Sequence, residues 1–556
     1  MDNAAEQGGP AGGGTVPADA VPVDAVRRLL DAAGITRRRL STVVALLTEG
    51  PRTVAALVGE SAVERRTVEA VVAALGDDIE AVEGNRMRIV VARVPTYRDL
   101  IGYGRLRATA AADPFADLLA RHAPLVARLD GLISGAPRPR RHLDHVPATA
   151  ETAVRRALWL DSTYDLDGAR LLCVGDHDLT SLAVAVVNPR VEVTVVDVDE
   201  GILAYIDGQR LPSVRCLWSD LRFGLADGAR GWADLVFTDP PYTPEGVGLF
   251  LGRGLEGLRD RDNPRLVMAY GFAAGHPGLG LKVQQTVAGM RLVYEAVLPG
   301  FNRYHGAQAV GGASDLYVLR PTAGSWRSAG RTGVNIYTHG SQSLEATDQG
   351  QDEQVMAELD RAAAGPDGLP VVSFGGAGLP LDGVFTGDLG RHGRAVAADL
   401  RDDPGSWLAR VLLAVDVPRL AVLVPNHHPD LADEAGQRAL TELLRTKYVL
   451  RLRRSTPGPH LAIVEADRID PAGLKAADRA VRAVLDRAYG KVTNTWRESL
   501  IRAGDGTLTK NEARALIRAA DPAAPDERLI DLPRHRIAEL LRSIARSAGP
   551  GASGQT

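Results

Sequence analysis

Leu171–Asp178 reads LLCVGDHD, in which a short apolar strand ends in a glycine and two carboxylates. Related patterns follow at Val193–Asp199, which reads VTVVDVD, and at Leu235–Tyr242, which reads LVFTDPPY. Carboxylates that follow parallel strands collect at one edge of an open α/β sheet, where such folds bind their ligands. The sequence therefore predicts an acidic crevice that suits a cationic ligand, and an enzyme that acts on amines.

Outward from this stretch, strand-like and helix-like segments alternate, which predicts an α/β fold with a doubly wound, methyltransferase-like Rossmann domain. An N-terminal pattern of three helices and a hairpin predicts a winged-helix-like domain. A second alternation predicts a smaller C-terminal α/β unit with a helical tail. The predicted order is 1–20 disordered, 21–95 winged-helix-like, 96–166 helical connector, 167–322 Rossmann-like catalytic domain, 323–350 linker, 351–468 second α/β unit, 469–545 helical region and 546–556 disordered tail.

Composition limits the possible functions. The 556 residues carry a formal net charge of −4, so no overall basic excess points to nucleic acid. No apolar run is long enough to span a bilayer, and no signal pattern opens the chain, so we expect a cytoplasmic protein. The two cysteines, Cys173 and Cys216, lie in apolar runs, which predicts buried thiols rather than a disulfide or a metal pair.

Two further motifs receive structural interpretations. Phe374–Gly378 reads FGGAG, which lacks the Lys-Ser/Thr of a phosphate loop and is therefore interpreted as a tight turn. Residues 505–512 resemble the back half of a calcium loop, but Ile501 and Ala503 stand where the first ligands belong. Thr509 with Glu512 instead predicts a helix capping box.

The loop after the first strand also indicates which donor the crevice accepts. An ordinary methyltransferase uses several glycines here to bring its backbone close to the methionine carboxylate of the cofactor. This chain keeps only Gly175 and adds Asp176 and Asp178, which would repel that carboxylate. Decarboxylated S-adenosylmethionine lacks the carboxylate and keeps an ammonium, so it fits the loop better.

The other strand ends carry groups that suit the same donor. Asp197 is placed for the ribose hydroxyls, and Asp220 for the amino group of adenine. Asp239 and Pro240 follow the fourth strand, and the ring of Tyr242 is able to stack on a base or to pack on a cationic amine.

These residues carry a resemblance to the branched-chain polyamine synthases, also called bis(aminopropyl)spermidine synthases. The similar motifs are GDHD at 175–178, DVDE at 197–200, TDPP at 238–241 with FLGRG at 250–254, and FNRY at 301–304. The resemblance covers residues 20–320. It implies transfer of aminopropyl groups from decarboxylated S-adenosylmethionine to the central nitrogen of spermidine, with methylthioadenosine leaving.

The resemblance also implies roles for individual residues. Asp176 matches the catalytic aspartate and is expected to act as base and amine anchor, with Asp178 and Asp239 holding other ammonium groups. The donor is expected at Gly175, Asp197, Asp199, Asp220 and Pro240, and the acceptor at His177, Tyr242, Asn302 and Tyr304. The partners implied are a polyamine substrate and a second copy of the chain in a homodimer, and no metal is implied.

Two positions depart from the family pattern. His177 replaces the middle aspartate of the first motif, and Tyr242 replaces a glutamate, which leaves open a smaller acceptor amine or an aminocarboxypropyl transfer. Two other functions also stay open. The DPPY motif is typical of methyltransferases that act on an exocyclic amine of a nucleic-acid base. A non-catalytic regulator that senses polyamines or nucleosides is the third interpretation.

Overall fold

The computed structural model describes residues 22–110, 113–306, 308–329, 336, 353–376, 378–386, 395–503, 508–521 and 524–548. The segment predicted to be disordered at 1–20, most of the predicted linker at 323–350 and residues 549–556 of the predicted tail lie outside the described residues. The chain divides into two compact units. The first comprises Met1–His122, Gly271–Pro277 and Pro299–Asp315, and the second comprises Ala123–Tyr270, Gly278–Leu298 and Leu316–Thr556.

The first unit is mainly helical. Its elements are α1 (Pro22–Ala32), α2 (Arg37–Glu49), α3 (Val54–Ser61), α4 (Arg65–Leu75), β1 (Ile79–Val82), β2 (Arg86–Ile89), α5 (Val94–Ile101), α6 (Tyr103–Ala108) and α7 (Ala116–Arg121). The predicted hairpin is confirmed, because β1 and β2 pair antiparallel around Gly84 and Asn85, both of which have positive φ. An isolated antiparallel bridge joins Arg52 to Met87 beside this hairpin.

The central sheet lies mainly in the second unit. Its elements, with the helices around them, are α8 (Ala123–Gly135), α9 (Ala150–Thr163), β3 (Arg170–Val174), α10 (Thr180–Val187), β4 (Glu192–Asp197), α11 (Glu200–Gly208), β5 (Val214–Trp218), β6 (Leu235–Thr238), α12 (Pro244–Gly257), β7 (Arg265–Tyr270), α13 (Pro277–Gly289), β8 (Leu292–Arg303) and β9 (Ala313–Pro321). The strand order is β5-β4-β3-β6-β7-β9-β8, and the pairs β5-β4, β4-β3, β3-β6 and β6-β7 are parallel. This is a methyltransferase-like Rossmann fold, as predicted, and the order reverses between β3 and β6, where such sheets open a crevice.

A second, smaller sheet belongs to the same unit. Its elements are α14 (Glu353–Ala364), β10 (Val371–Phe374), α15 (Asp382–Thr386), β11 (Ala395–Asp399), α16 (Trp407–Ala414), β12 (Arg419–Pro425), α17 (Pro429–Ala432), α18 (Glu434–Leu444), β13 (Tyr448–Arg454) and β14 (Leu461–Arg468). Its order is β10-β11-β12-β14-β13, in which β14 runs antiparallel to both of its neighbours. The chain ends in α19 (Ala476–Leu485), α20 (Val492–Ala503), α21 (Lys510–Ala520) and α22 (Arg534–Ser547).

Several local predictions can be compared with the structure. The capping box is confirmed: Thr509 Oγ1 accepts from the backbone N–H of Glu512, whose carboxylate accepts from the backbone N–H of Thr509. The glycine-rich turn after β10 is confirmed by the bond from Gly378 N to Gly375 O. Cys173 and Cys216 are buried and unbridged, as expected. No helix in the described part of the chain is long and apolar enough to cross a membrane.

Strand β13 was missed by the sequence interpretation. Its side chains alternate between apolar residues and Arg451 and Arg453, and Val449 is exposed. Charged residues are common on a strand at the edge of a sheet, which is where β13 lies. The apolar alternation was therefore too weak to separate it from a loop.

Candidate active site

The predicted site residues of the central sheet lie where β3, β4 and β6 end. β3 ends at Val174, and Gly175 follows with a φ of 72°, which favours glycine. A Cβ atom at this position would lie 3.2 Å from the ring of Phe250. The remaining glycine of the loop is thus required both by its backbone conformation and by the close approach of α12.

Asp176 is a buried carboxyl group with few compensating contacts. Its two oxygens accept from the backbone N–H of Ser181, at 3.4 and 3.2 Å. Burial, together with the nearby carboxylates of Asp178 and Asp197, raises the pKa of Asp176 to about 8. At neutral pH this group therefore holds a proton until a positive charge enters the site.

Arg156, on α9, joins two of the predicted acids. Its guanidinium is fully buried and donates to Asp178 Oδ2 and to Asp239 Oδ2, each at 2.7 Å. It also donates to Thr180 Oγ1 at 3.1 Å. Burial alone would raise the pKa of Asp178, but the charge of Arg156 and the hydrogen bonds to this carboxylate lower it below its usual value. Asp178 is therefore ionised, and it shares the guanidinium of Arg156 with Asp239.

The acids at the end of β4 are ordered by backbone groups. Asp197 accepts from the backbone N–H of Asp176 at 3.1 Å and of Asp199 at 2.8 Å. Burial, followed by the charge of Asp199, raises the pKa of Asp197 to about 6. Asp199 caps α11 by accepting from Gly201 N at 2.8 Å, and Arg140 lies 3.1 Å from its other oxygen.

His177 introduces a neutral ring into the acidic loop. Its imidazole stacks on that of His145, with ring centroids 4.2 Å apart and planes 17° apart. Burial lowers the pKa of both rings, so both are uncharged at neutral pH. The position that the family pattern gives to a third carboxylate therefore carries no charge in this chain.

The residues after β5 and β6 are mostly buried. Asp220 accepts hydrogen bonds from Arg222 and from Trp407, and Pro240 is buried. The ring of Tyr242 packs against Tyr270 with centroids 5.2 Å apart. Thr243 then caps α12 by accepting from Gly246 N at 2.9 Å, so the DPPY loop turns directly into this helix.

The acids at these strand ends differ in their arginine partners. Among the described residues, Arg156 pairs with Asp178 and Asp239, and Arg140 pairs with Asp199, but no arginine pairs with Asp176 or Asp197. Buried acids without an arginine partner favour a cationic ligand, and burial with the nearby carboxylates raises the pKa of Asp176 for the same electrostatic reason. Within the described ranges, no group of three or more His, Cys, Asp or Glu side chains is arranged to hold a metal ion.

Residues 125–358 match the family model of the branched-chain polyamine synthase A C-terminal domain. The match covers less than half of the chain, and over these residues the protein is similar to that family.

Individual relatives cover parts of the chain. An uncharacterised protein of Methanocaldococcus jannaschii is 35% identical over 186 residues, which are 32% of this chain and 45% of that protein. The N(4)-bis(aminopropyl)spermidine synthase of the same organism is 26% identical over 193 residues, which are 34% of this chain and 54% of that enzyme. The chain thus spans about half the length of these curated relatives.

A solved structure is also similar. The crystal structure of the branched-chain polyamine synthase from Thermus thermophilus, in complex with N4-aminopropylspermidine and 5′-methylthioadenosine, aligns with a TM-score of 0.39 and 18% identity. The alignment covers 59% of this chain and 98% of that chain.

The FNRY motif at 301–304 belongs to the first unit. Asn302 and Tyr304 meet on one partner: Asn302 Nδ2 donates to Ser314 Oγ at 3.0 Å, and the Tyr304 hydroxyl lies 2.8 Å from the same oxygen. Both residues belong to the segment Pro299–Asp315 of the first unit. The structure thus brings Asp176, Asp178, Asp197 and Asp239 together in the second unit, and Asn302 and Tyr304 together in the first.

Arg156 is the site residue that the sequence interpretation missed. It lies in Ala153–Leu160 of α9, where the other residues except Arg155 are apolar and no acid stands three or four residues away, so Arg156 needs a partner elsewhere. A guanidinium on an otherwise apolar helix face was the sequence signal that could have identified Arg156. Its partners, Asp178 and Asp239, lie 22 and 83 residues away and were not predictable from local pattern.

Proposed function

We propose that this chain is an aminopropyltransferase, which moves the aminopropyl group of decarboxylated S-adenosylmethionine to a nitrogen of a spermidine-like polyamine. The observation that carries this proposal is the uncompensated carboxylate cluster around Asp176. A sulfonium donor that has an ammonium but no carboxylate, and a polycationic acceptor, both complement that charge. An intact methionine carboxylate in the same loop would face Asp176 and Asp178.

The reaction needs a nitrogen lone pair aligned with the carbon next to the sulfonium. A carbon–nitrogen bond forms while the carbon–sulfur bond breaks, and the electron pair of the broken bond stays on sulfur, so methylthioadenosine leaves uncharged. The attacking nitrogen loses its proton to Asp176. A base with a pKa near neutral is suited to this transfer, because it both accepts and releases the proton at working pH.

The other residues take roles around this step. Asp178 and Asp239, ordered by Arg156, hold further ammonium groups of the acceptor, and His177 and Tyr242 are further acceptor contacts. Asp197 binds the ribose hydroxyls, with Gly175, Asp199 and Pro240 forming the rest of the donor site. A neutral ring at His177 fits an acceptor with fewer positive charges than one bound by three carboxylates.

The first unit, with helices α2–α4 and the β1–β2 hairpin, is proposed to be a winged-helix-like domain that serves docking rather than DNA binding. Arg65, on the helix that would enter a DNA groove, bonds to Glu69 at 2.7 Å and to Gln308 at 2.7 Å in the same unit. Glu64 accepts from the backbone N–H of Ala274, which packs the start of α4 against the segment Gly271–Pro277. Because Arg65 is already engaged within its own unit, docking is favoured over phosphate binding. We also propose that the enzyme is cytoplasmic, forms a homodimer and does not bind nucleic acid.

The test is turnover with a defined pair of substrates. The full chain is incubated with spermidine and either decarboxylated or intact S-adenosylmethionine, and methylthioadenosine and amine products are measured by mass spectrometry. We expect methylthioadenosine and an aminopropylated amine only with the decarboxylated donor. Methyl transfer from the intact donor to a nucleic-acid base would replace this proposal with the methyltransferase function. Binding without any product would indicate a polyamine or nucleoside sensor.

A further inference from the structure

Asp220 lies in the loop after β5, and donors fill its carboxylate. Oδ1 accepts from the backbone N–H of Arg222 at 3.0 Å and from its Nε at 2.9 Å. Oδ2 accepts from a terminal nitrogen of Arg222 and from Nε1 of Trp407, the latter at 2.9 Å. A carboxylate offers about four acceptor positions, and all of them are occupied here. Direct contact with the amino group of adenine would require one of these bonds to be exchanged.

Trp407 is the first residue of α16, the helix that follows β11 of the second sheet. A packed junction surrounds it. The guanidinium of Arg222 lies over the Trp407 ring, 4.8 Å from its centroid. Phe385, from α15, stacks on Phe223 with centroids 4.8 Å apart and planes 12° apart. Asp220 and Trp407 are each only 4% exposed, so water does not compete for the bond between them.

Arg410 makes a second link from the same helix. Its buried guanidinium pairs with Glu200, the first residue of α11, and lies 4.4 Å from the ring centroid of Trp218. Trp218 stands opposite Asp197 in the pairing of β5 with β4, and the backbone N–H of Ser219 donates to the carbonyl of Asp197 at 3.1 Å. Helix α16, beside the second sheet, therefore contacts the immediate neighbours of Asp197, which is proposed to bind ribose.

We propose that the second sheet, with its helix α16, supports the donor site. Through Trp407 and Arg410 it sets the position of the ends of β4 and β5, and Asp220 is a positioning residue of this junction rather than a direct ligand of adenine. The inference rests on the proposed function, because it takes these strand ends to be where the nucleoside of the donor binds.

The experiment uses the full chain and four variants. Trp407→Phe keeps an aromatic ring but removes the donor to Asp220, Asp220→Asn removes the charge, and the double variant combines both changes. Trp496→Phe is the matched control, because Trp496 is also fully buried and donates through Nε1 to Ser547 Oγ at 3.0 Å, within the C-terminal helices. Affinity for 5′-methylthioadenosine is measured by calorimetry, donor KM and kcat by turnover, and stability by thermal unfolding.

We expect Trp407→Phe and Asp220→Asn each to weaken nucleoside binding about tenfold, the size expected when a hydrogen bond to a charged group is lost. The double variant should bind no more weakly than Trp407→Phe alone, because both changes act on the same hydrogen bond. Donor KM should rise by the same factor while kcat changes by less than about twofold, since the reacting groups stay in place. Trp496→Phe should lower the unfolding temperature without changing nucleoside affinity.

Two results would overturn the inference. If Asp220→Asn weakens binding while Trp407→Phe leaves it unchanged or tightens it, Asp220 contacts adenine directly. Equal weakening by Trp496→Phe would show that any loosening of the C-terminal half has the same effect. If the wild-type chain binds the nucleoside but makes no methylthioadenosine, the proposed function fails while the affinities still decide this inference. Absence of nucleoside binding by the wild-type chain overturns both.

Discussion

The central sheet and the second sheet share a strand order over five positions. The order β3-β6-β7-β9-β8 in the central sheet corresponds to β10-β11-β12-β14-β13 in the second. The first of these strands is followed in each case by a glycine with positive φ, Gly175 or Gly375. The second strand carries an acid at its end, Asp239 or Asp399. Within the described residues, the second sheet has no counterpart of β4 and β5, and hence none of Asp197 and Asp220.

The acids of the two sheets differ in how many donors they already have. In the second sheet, Asp399 pairs with Arg401 at 2.7 Å. Asp403 accepts from His428 at 3.0 Å and from four successive backbone N–H groups at 405–408. Among the residues that the structure describes, Asp176 of the central sheet draws its hydrogen bonds from Ser181 alone.

The pKa values record this difference. Burial would raise the pKa of Asp403, but the hydrogen bond and charge of His428, with the backbone N–H groups, lower it below 3.8. Burial raises the pKa of Asp176 to about 8. Asp403 is therefore an aspartate whose charge is stabilised by its hydrogen bonds, whereas Asp176 requires a cation. The second sheet also leaves no room for a ligand between its glycine turn and its acid, because a Cβ atom at Gly376 would lie 2.9 Å from Asp399 Oδ2.

The largest effect should come from removing the base. Asp176→Asn is expected to lower kcat about 10³-fold, within the range for loss of a general base, while donor binding is largely kept. Asp399→Asn is the matched change in the second sheet and should leave kcat unchanged. Single-turnover formation of methylthioadenosine measures both. Substantial activity in Asp176→Asn would assign the base elsewhere and break the contrast between the two sheets.

Removing the shared cation of the central sheet should strongly lower the stability of the protein. Arg156→Met leaves Asp178 and Asp239 buried without their partner, which should lower the free energy of unfolding by about 3–5 kcal/mol. Arg401→Met should cost less, because the Arg401 side chain is 18% exposed and Asp399 keeps its hydrogen bond from the backbone N–H of residue 401. Denaturant unfolding at pH 7 compares them. Equal losses would mean that the two sheets compensate their acids in the same way.

The pH dependence of stability should have opposite signs for the two acids, beginning with Asp176. Its folded pKa of about 8 lies above 3.8, so between these values the folded state keeps a proton that the unfolded state has lost. Stability therefore falls as pH rises through this range. Asp176→Asn should be more stable than the wild-type chain by a few kcal/mol at pH 9, at about 1.4 kcal/mol per unit of pKa shift, and nearly equal to it at pH 4. A gap that does not change with pH would show that Asp176 ionises normally.

Asp403 should show the reverse trend and a smaller effect. Its folded pKa is lowered, so its contribution is present above pH 3.8 and is lost as pH falls through the folded pKa. Asp403→Asn should cost about 2 kcal/mol at pH 7, as for a charged hydrogen-bond acceptor that is lost, and the difference should narrow in acid. Thermal unfolding from pH 7 down to pH 3 measures this trend. A difference that widens in acid would contradict it.

The sequence was most informative where structure depends on neighbours along the chain. The alternation of strands and helices predicted the Rossmann sheet, and Gly84-Asn85 predicted the hairpin. Thr509 and Glu512 predicted their capping box, because each of these signals involves groups within a few residues. The charged edge strand β13 escaped, since its pattern depends on its place at the edge of a sheet.

Sequence alone determined that carboxylates gather at the ends of the central strands, because strand direction and residue order place them at one edge. Only the tertiary structure decided which of them are paired. Arg156 reaches Asp178 and Asp239, and Trp407 reaches Asp220 across 187 residues. Desolvation and pairing depend on distances in space between residues that are remote in the chain. The difference between a satisfied carboxylate and a reactive one is therefore a property of the packed molecule.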